Sequence, residues 1–182
     1  MNAETRKQFS LARDLLKEYF PDDKHPVHEH SWTVVQKVND IHEREVPSQE
    51  RHSLKPSTLD VFYDKAEIVA LIHDLVEDSE CTLDILKERG LDAECLDAVD
   101  AITRRKDEQY YFDYIERVSK NSIARLVKIC DLEHNMDIRR LEKFGEYEQK
   151  RLAKYWHAWR FLQGKENAVT ANNMMHPDRL FR

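Results

Sequence analysis

Four residues of this chain are poor choices for a surface or a core, and each is a competent metal ligand. His30 falls in line with Val34, Val38 and Ile41 at helical spacing, which puts it on an apolar helix face. His73 and Asp74 come near the end of a largely apolar stretch, Ala70-Leu-Ile-His-Asp-Leu-Val-Glu-Asp78, which also carries Glu77 and Asp78. His73–Glu77 and Asp74–Asp78 are i,i+4 pairs, so each pair shares a helix face. Carboxylates gathered at a helix C-terminus oppose its macrodipole and repel one another; a bound cation relieves this, and so does plain solvation. Asp131 interrupts the apolar run Leu126-Val-Lys-Ile-Cys-Asp-Leu132, with Asn135 one turn on. Buried there, it needs a cation or a hydrogen-bond donor.

Taken singly, each feature has a bland reading: a solvated acidic helix end, or a hydrogen-bonded core histidine. Taken together, His30, His73, Asp74 and Asp131 offer two imidazoles and two carboxylates from three helices. That set suits a divalent transition metal and leaves positions for water and substrate. Such a metal acidifies a water and neutralises phosphoryl oxygens. Glu77 and Asp78, one turn further, would orient or deprotonate the attacking water.

The elements that must position these residues read as helices. Proline occurs at 21, 26, 47, 56 and 177, so the span from Ser57 to His176 holds none. Proline costs about 3 kcal/mol inside a helix, and a long proline-free run leaves room for consecutive helices. Gly90, Gly145 and Gly164 each follow a helical run, where a left-handed C-terminal residue is expected. Strict alternation is rare, and Asn-Gly and Asp-Gly hairpin pairs are absent. The chain is expected to be all-α, a single-domain helical bundle. Helices are predicted over about Glu4–Phe20, His28–Arg44, Ser57–Asp78, a short run from a Thr82 cap to Gly90, Ala93–Arg104, Asp107–Ser119, a run that starts after Asn121 and reaches Asn135, and Tyr147–Leu162. Ser57-Thr-Leu-Asp60 reads as a capping box. Glu45–Pro56 is polar, holds two prolines and reads as a loop. Residues 1–163 form the expected domain; 164–182, weakly periodic, reads as a tail that is irregular or forms an interface.

Composition narrows the partners. The 182 residues make roughly one domain. Charged residues are 35% against a usual figure of about 25%, as expected for helices with wide solvated faces. A net charge of −6 is not suited to coating nucleic acid or an anionic membrane. No stretch approaches the ~18–20 apolar residues of a membrane span, and Met1–Ser10 lacks a signal peptide's apolar segment. The cysteines, Cys81, Cys95 and Cys130, are odd in number without CxxC spacing. They read as small buried residues in a reducing cytoplasm.

In the order and spacing of three blocks, the chain resembles the HD-domain metal-dependent phosphohydrolases, and more narrowly the alarmone hydrolase domain of the RelA/SpoT family and its small stand-alone relatives. His30-Ser-Trp-Thr-Val-Val resembles the segment of the first metal histidine. His73-Asp-Leu-Val-Glu-Asp-Ser-Glu-Cys-Thr82 is similar to a His-Asp-x-x-Glu-Asp-x-x-x-Thr signature. Lys128-Ile-Cys-Asp-Leu-Glu-His-Asn-Met136 is similar to Lys-Leu-Ala-Asp-x-x-His-Asn-Met. The resemblance spans about Glu4 to Arg160. It implies one metal held by His30, His73, Asp74 and Asp131, manganese first, with iron, zinc, cobalt, nickel or magnesium as alternatives. It also implies a water-activating pair, Glu77 and Asp78, and substrate contacts at Asn135 and Lys128. The implied reaction removes the 3′-pyrophosphate of ppGpp or pppGpp, giving GDP or GTP, in a protein with no room for a synthetase or regulatory domain. Two positions depart from the pattern. The loop before the first histidine, Pro21–His28, has Lys24 but no clear match for a guanine-holding basic residue. Ile138 stands where a threonine is usual.

Further features admit two readings each. Thr103-Arg-Arg-Lys106 presents cations that could hold substrate phosphates, Arg104 among them, or could simply cap a helix C-terminus. Tyr110, Tyr111 and Tyr114 at helical spacing point to core or interface. Trp156 and Trp159 point to packing on the bundle or on a second subunit, so a homodimer is allowed. His25, His28, His42, His52, His157 and His176 show no coherent partner set. Besides alarmone hydrolysis, two activities stay open: an HD-type nucleotidase or phosphatase acting on a deoxynucleotide monophosphate or NADPH, and a nucleotide sensor without turnover.

Overall fold

Local chemistry sets the helix boundaries. In this computed structural model, which describes residues 1–46 and 57–176, every regular element among the described residues is helical. Helix α1 spans Ala3–Tyr19, α2 Pro26–Glu45, α3 Thr58–Ile72, α4 Leu75–Asp78, α5 Leu83–Glu88, α6 Ala93–Ile102, α7 Tyr111–Ser119, α8 Ser122–Asn135, α9 Glu146–Leu162 and α10 Ala168–Met175, with a 3₁₀ turn at Ile138–Arg140. Side-chain oxygens of Asn2, Ser57, Thr82, Asp92, Asn121 and Asn167 accept the first free backbone N–H groups of α1, α3, α5, α6, α8 and α10. Each such cap is worth about 1 kcal/mol. Ser57 and Asp60 form the expected capping box. The loop expected over Glu45–Pro56 lies outside the described residues from position 47 onward.

The bundle is centred on α3, which packs on α1, α2, α6 and α8. Ile68, Val69, Ala70, Leu71 and Ile72 are fully buried on consecutive positions, so this helix is covered on every side. Helix α8 is the second hub, in contact with α2, α3, α6, α7 and α9. Its Ile123, Val127 and Cys130 join the core, and Asp131 and His134 are buried with them. The three cysteines are buried free thiols. No helix among the described residues is long and apolar enough to cross a membrane.

Three local expectations need correction. The helix expected over Ser57–Asp78 is broken at His73–Asp74 and restarts as α4. His73 Nδ1 donates to the Ala70 carbonyl at 2.8 Å, the acceptor that the Asp74 amide would use in an unbroken α-helix. Gly90 and Gly164 take the left-handed backbone expected after a helix (φ +86° and +69°), but Gly145 does not. It is the N-cap of α9, its amide bound to the Glu148 carboxylate at 2.9 Å. Finally, the weakly periodic segment after Gly164 contains α10, which packs on α9 and α7 and buries Ala171 and Met175.

Candidate metal centre

Three elements meet at one point. Helix α2 supplies His30, the α3–α4 break supplies His73 and Asp74, and α8 supplies Asp131. On a continuous helix neighbouring side chains diverge by about 100°. His73 and Asp74 keep right-handed backbone at the break (φ −61°, ψ −31° and φ −94°, ψ −4°), and their side-chain tips nonetheless converge, Asp74 Oδ2 reaching back to the His73 ring. His30 Nε2 lies 3.1 Å from His73 Nε2 and 3.0 Å from Asp131 Oδ1. Asp74 Oδ2 lies 3.5 Å from His30 Nε2 and 3.3 Å from His73 Nε2, and His73 Nε2 is 3.8 Å from Asp131 Oδ1. His30, His73 and Asp131 are buried and their donor atoms all fall within 4.8 Å of one another; this group could hold a metal ion.

The separations fit a small cation. Ligands held at about 2.1 Å sit about 3.0 Å apart at right angles and about 3.4 Å apart at tetrahedral angles. Protonation fits as well. A backbone carbonyl only accepts, so the Ala70 bond fixes the proton of neutral His73 on Nδ1 and leaves Nε2 with a lone pair facing the cluster.

Opposing charges set the electrostatics. Burial disfavours a charged His73, but Asp74 and Asp131 outweigh it and push its pKa up to about 9, so the acids favour positive charge at this point. Burial also works against the Asp131 charge, yet Lys128, His30 and His73 hold its carboxyl well below the usual range. Lys128 Nζ sits 2.7 Å from Asp131 Oδ2, and Asn135 Nδ2 donates to Asp131 Oδ1 at 2.5 Å. Lys128 and Asn135, expected as substrate contacts, are thus also the groups that hold Asp131 in place.

An open cavity of about 330 Å³ lies over the cluster, lined among others by His30, Asp74, Glu77, Asp131, Asn135 and Arg140. Glu77 Oε2 accepts the Arg104 backbone N–H at 3.2 Å, and burial raises its pKa. Asp78 is largely exposed and does not line this cavity; partial desolvation, then the Asp74 charge, raises its pKa.

Tyr155 lines both this cavity and a second one of about 370 Å³, which has Arg104, Tyr111, Lys150, Arg151 and Lys154 around it. The side chain of Arg104 therefore faces this neighbouring space. Burial, then Arg104, Lys128 and Arg151, lower the Lys154 pKa, the mark of crowded like charge. The Tyr111 hydroxyl and Arg151 Nε are buried without a hydrogen-bond partner among the described residues. Lys150 and Lys154, and Arg151 and Tyr155, are i,i+4 pairs on α9, a helix whose sequence stood out only for its aromatics.

His134 is buried on α8, and nothing in the sequence marked it as a partner of His30. Its Nδ1 lies 2.7 Å from His30 Nδ1, and burial followed by the Arg140 charge lowers its pKa to about 4. Other histidines have structural partners: His28 donates to the Phe20 carbonyl at 2.6 Å, His42 bonds Asp60 at 3.0 Å, and His157 bonds Glu166 at 2.9 Å. His52 lies outside the described residues. The chain matches no family model and no curated protein.

Proposed function

We propose that the chain is a metal-dependent phosphohydrolase of the HD type that acts on a nucleotide and removes the 3′-pyrophosphate of guanosine 3′-diphosphate 5′-di- or triphosphate. The observation that carries this reading is the convergence of His30 Nε2, His73 Nε2 and Asp131 Oδ1 beneath an open cavity, with Asp74 Oδ2 beside both imidazoles. A divalent cation held there, manganese in the first instance, would polarise the scissile phosphoryl group and acidify a water.

The remaining chemistry belongs to the protein. Glu77 is oriented by the Arg104 amide through Oε2, which leaves Oε1 to take the proton of the attacking water. Burial raises its pKa, which makes the carboxylate a stronger base than an exposed one. Attack forms a bond from the water oxygen to phosphorus and breaks the bond from phosphorus to the 3′-oxygen, which leaves with the electron pair and takes a proton from solvent to become the 3′-hydroxyl of the product. Asp78, outside the cavity, adds negative charge that favours the cation. The cationic space across Tyr155 suits the additional phosphates, because Arg104 and Arg151 offer paired N–H donors. Buried free thiols accord with a cytoplasmic setting.

The test is turnover by manganese-loaded protein of guanosine 3′-diphosphate 5′-diphosphate, a deoxynucleotide monophosphate and NADPH, with products resolved by ion exchange. The expected result is GDP and pyrophosphate from the first, lost on chelation and restored by Mn²⁺. Orthophosphate from either of the others alone would replace the alarmone reading by a nucleotidase. Nucleotide-dependent thermal stabilisation without product would replace it by a sensor.

A further inference from the structure

Both histidines of the cluster must offer Nε2 as a lone pair, and the protein meets that demand in two different ways. For His73 a backbone carbonyl holds the Nδ1 proton. For His30 the group facing Nδ1 is a second imidazole. The His30 and His134 ring planes differ by 15° and their centroids are 4.9 Å apart, close to the 2.7 Å N···N distance plus two ring radii. The two Nδ1 atoms therefore point at each other almost in plane. Two bare nitrogens at that distance would repel through their lone pairs, and two protonated ones would clash. One proton is shared, and one ring donates while the other accepts.

We propose that His134 is a positioning residue of the metal centre: its Nδ1 accepts the Nδ1 proton of His30 and so aims the His30 Nε2 lone pair at the cation. The inference rests on the metal-binding reading of the cluster. His134 is not itself a ligand in this arrangement, because the nitrogen nearest the cluster is engaged by His30. Its own proton sits on Nε2, at the edge of the ring that lines a separate cavity with Glu29, Lys37, Asp137 and Arg139. Partners of this kind fix the tautomer and orientation of a ligating imidazole and raise its basicity. A carbonyl would do so unconditionally; an imidazole does so only while it is neutral and takes the Nε2–H tautomer.

Two substitutions separate positioning from packing. Phenylalanine at 134 keeps a flat ring and loses the acceptor; asparagine loses the ring but can place Oδ1 near the former Nδ1. Isothermal titration of metal-free protein with Mn²⁺ should show His134→Phe weakened by about 10–100-fold. His134→Asn should stay close to the parent. A packing role predicts the reverse order, and equal affinities for parent and His134→Phe would also overturn the proposal. A parent that takes up no Mn²⁺, Zn²⁺ or Co²⁺ would remove the metal centre itself, a failure distinct from equal affinities. Should the Phe variant not fold, the parent still decides. In Zn²⁺-loaded protein, two-bond ¹H–¹⁵N spectra should show His30 protonated on Nδ1 and His134 on Nε2. A proton on His134 Nδ1 would refute the assignment.

Discussion

Replacing Asp131 by Asn keeps the shape of the side chain and removes one charge, and the structure says what that charge does. Lys128 Nζ is 2.7 Å from Asp131 Oδ2, with the two side chains only 14% and 4% exposed. The ammonium is held protonated: burial opposes it, but Asp131 outweighs burial. Asparagine leaves that cation buried without its partner. Breaking a buried pair from one side costs about 3–5 kcal/mol. For a chain of this size that corresponds to a melting temperature about 6–20 °C lower. Scanning calorimetry in a chelator measures this directly. Repeating it with Mn²⁺ adds a second reading, since a ligand at about 100 times its Kd stabilises by about 2.7 kcal/mol. The parent should gain stability with Mn²⁺, and Asp131→Asn should not. Lys128→Met combined with Asp131→Asn removes both charges and should recover much of the metal-free loss. If Asp131→Asn melts with the parent and still responds to Mn²⁺, Asp131 is neither counter-ion nor ligand, and the reasoning fails.

Glu77→Gln should bind Mn²⁺ as the parent does while kcat for pyrophosphate release falls by about 10²–10⁴; a kcat like the parent's would remove Glu77 as the base. Lys154→Ala removes one cation from the cavity beside the cluster and should raise KM for a polyphosphorylated nucleotide about tenfold, from the loss of one charge-assisted contact; an unchanged KM would place the phosphates elsewhere. Glu67 tests the electrostatics away from the site. Burial, then the Asp64 charge, raises its pKa to about 7 from 4.5, so the folded state favours the protonated form. Stability from this group is present below the unfolded value and is lost as pH climbs from about 4.5 through about 7. Glu67→Gln should therefore match the parent at pH 4 and exceed it by about 1 kcal/mol at pH 8, with allowance for the water at its half-buried edge. Parallel pH–stability curves for variant and parent would contradict this.

The all-helical fold was legible because its signals are local. The proline-free span after Ser57, the caps at Ser57, Thr82 and Asn121, and the apolar sweep of Val69–Ile72 act within a turn or two of chain. The four cluster residues were legible for a related reason: a histidine or an aspartate on an apolar face violates the local pattern wherever it stands. What escaped depends on contacts across the bundle or on side-chain competition. The break at His73–Asp74 arises because a histidine ring takes a carbonyl of its own helix, and nothing in residue order marks it. Gly145 begins a helix where its neighbours suggested an end, because Glu148 reaches back to its amide. Helix α10 is short, and its burial comes from α9 and α7 rather than from a periodic stripe. The pairing of His30 with His134 joins residues 104 positions apart. The cationic cavity was missed because cations on α9 read as an ordinary solvated face until Arg104 and Tyr111 are brought against them.

One ion held between α2, the α3–α4 break and α8 carries the proposed chemistry. Anomalous diffraction at the manganese edge from Mn²⁺-loaded crystals tests it most directly. The predicted result is a single peak about 2.0–2.3 Å from His30 Nε2, His73 Nε2, Asp131 Oδ1 and an Asp74 oxygen. No peak among these atoms in crystals grown at saturating Mn²⁺ would contradict it.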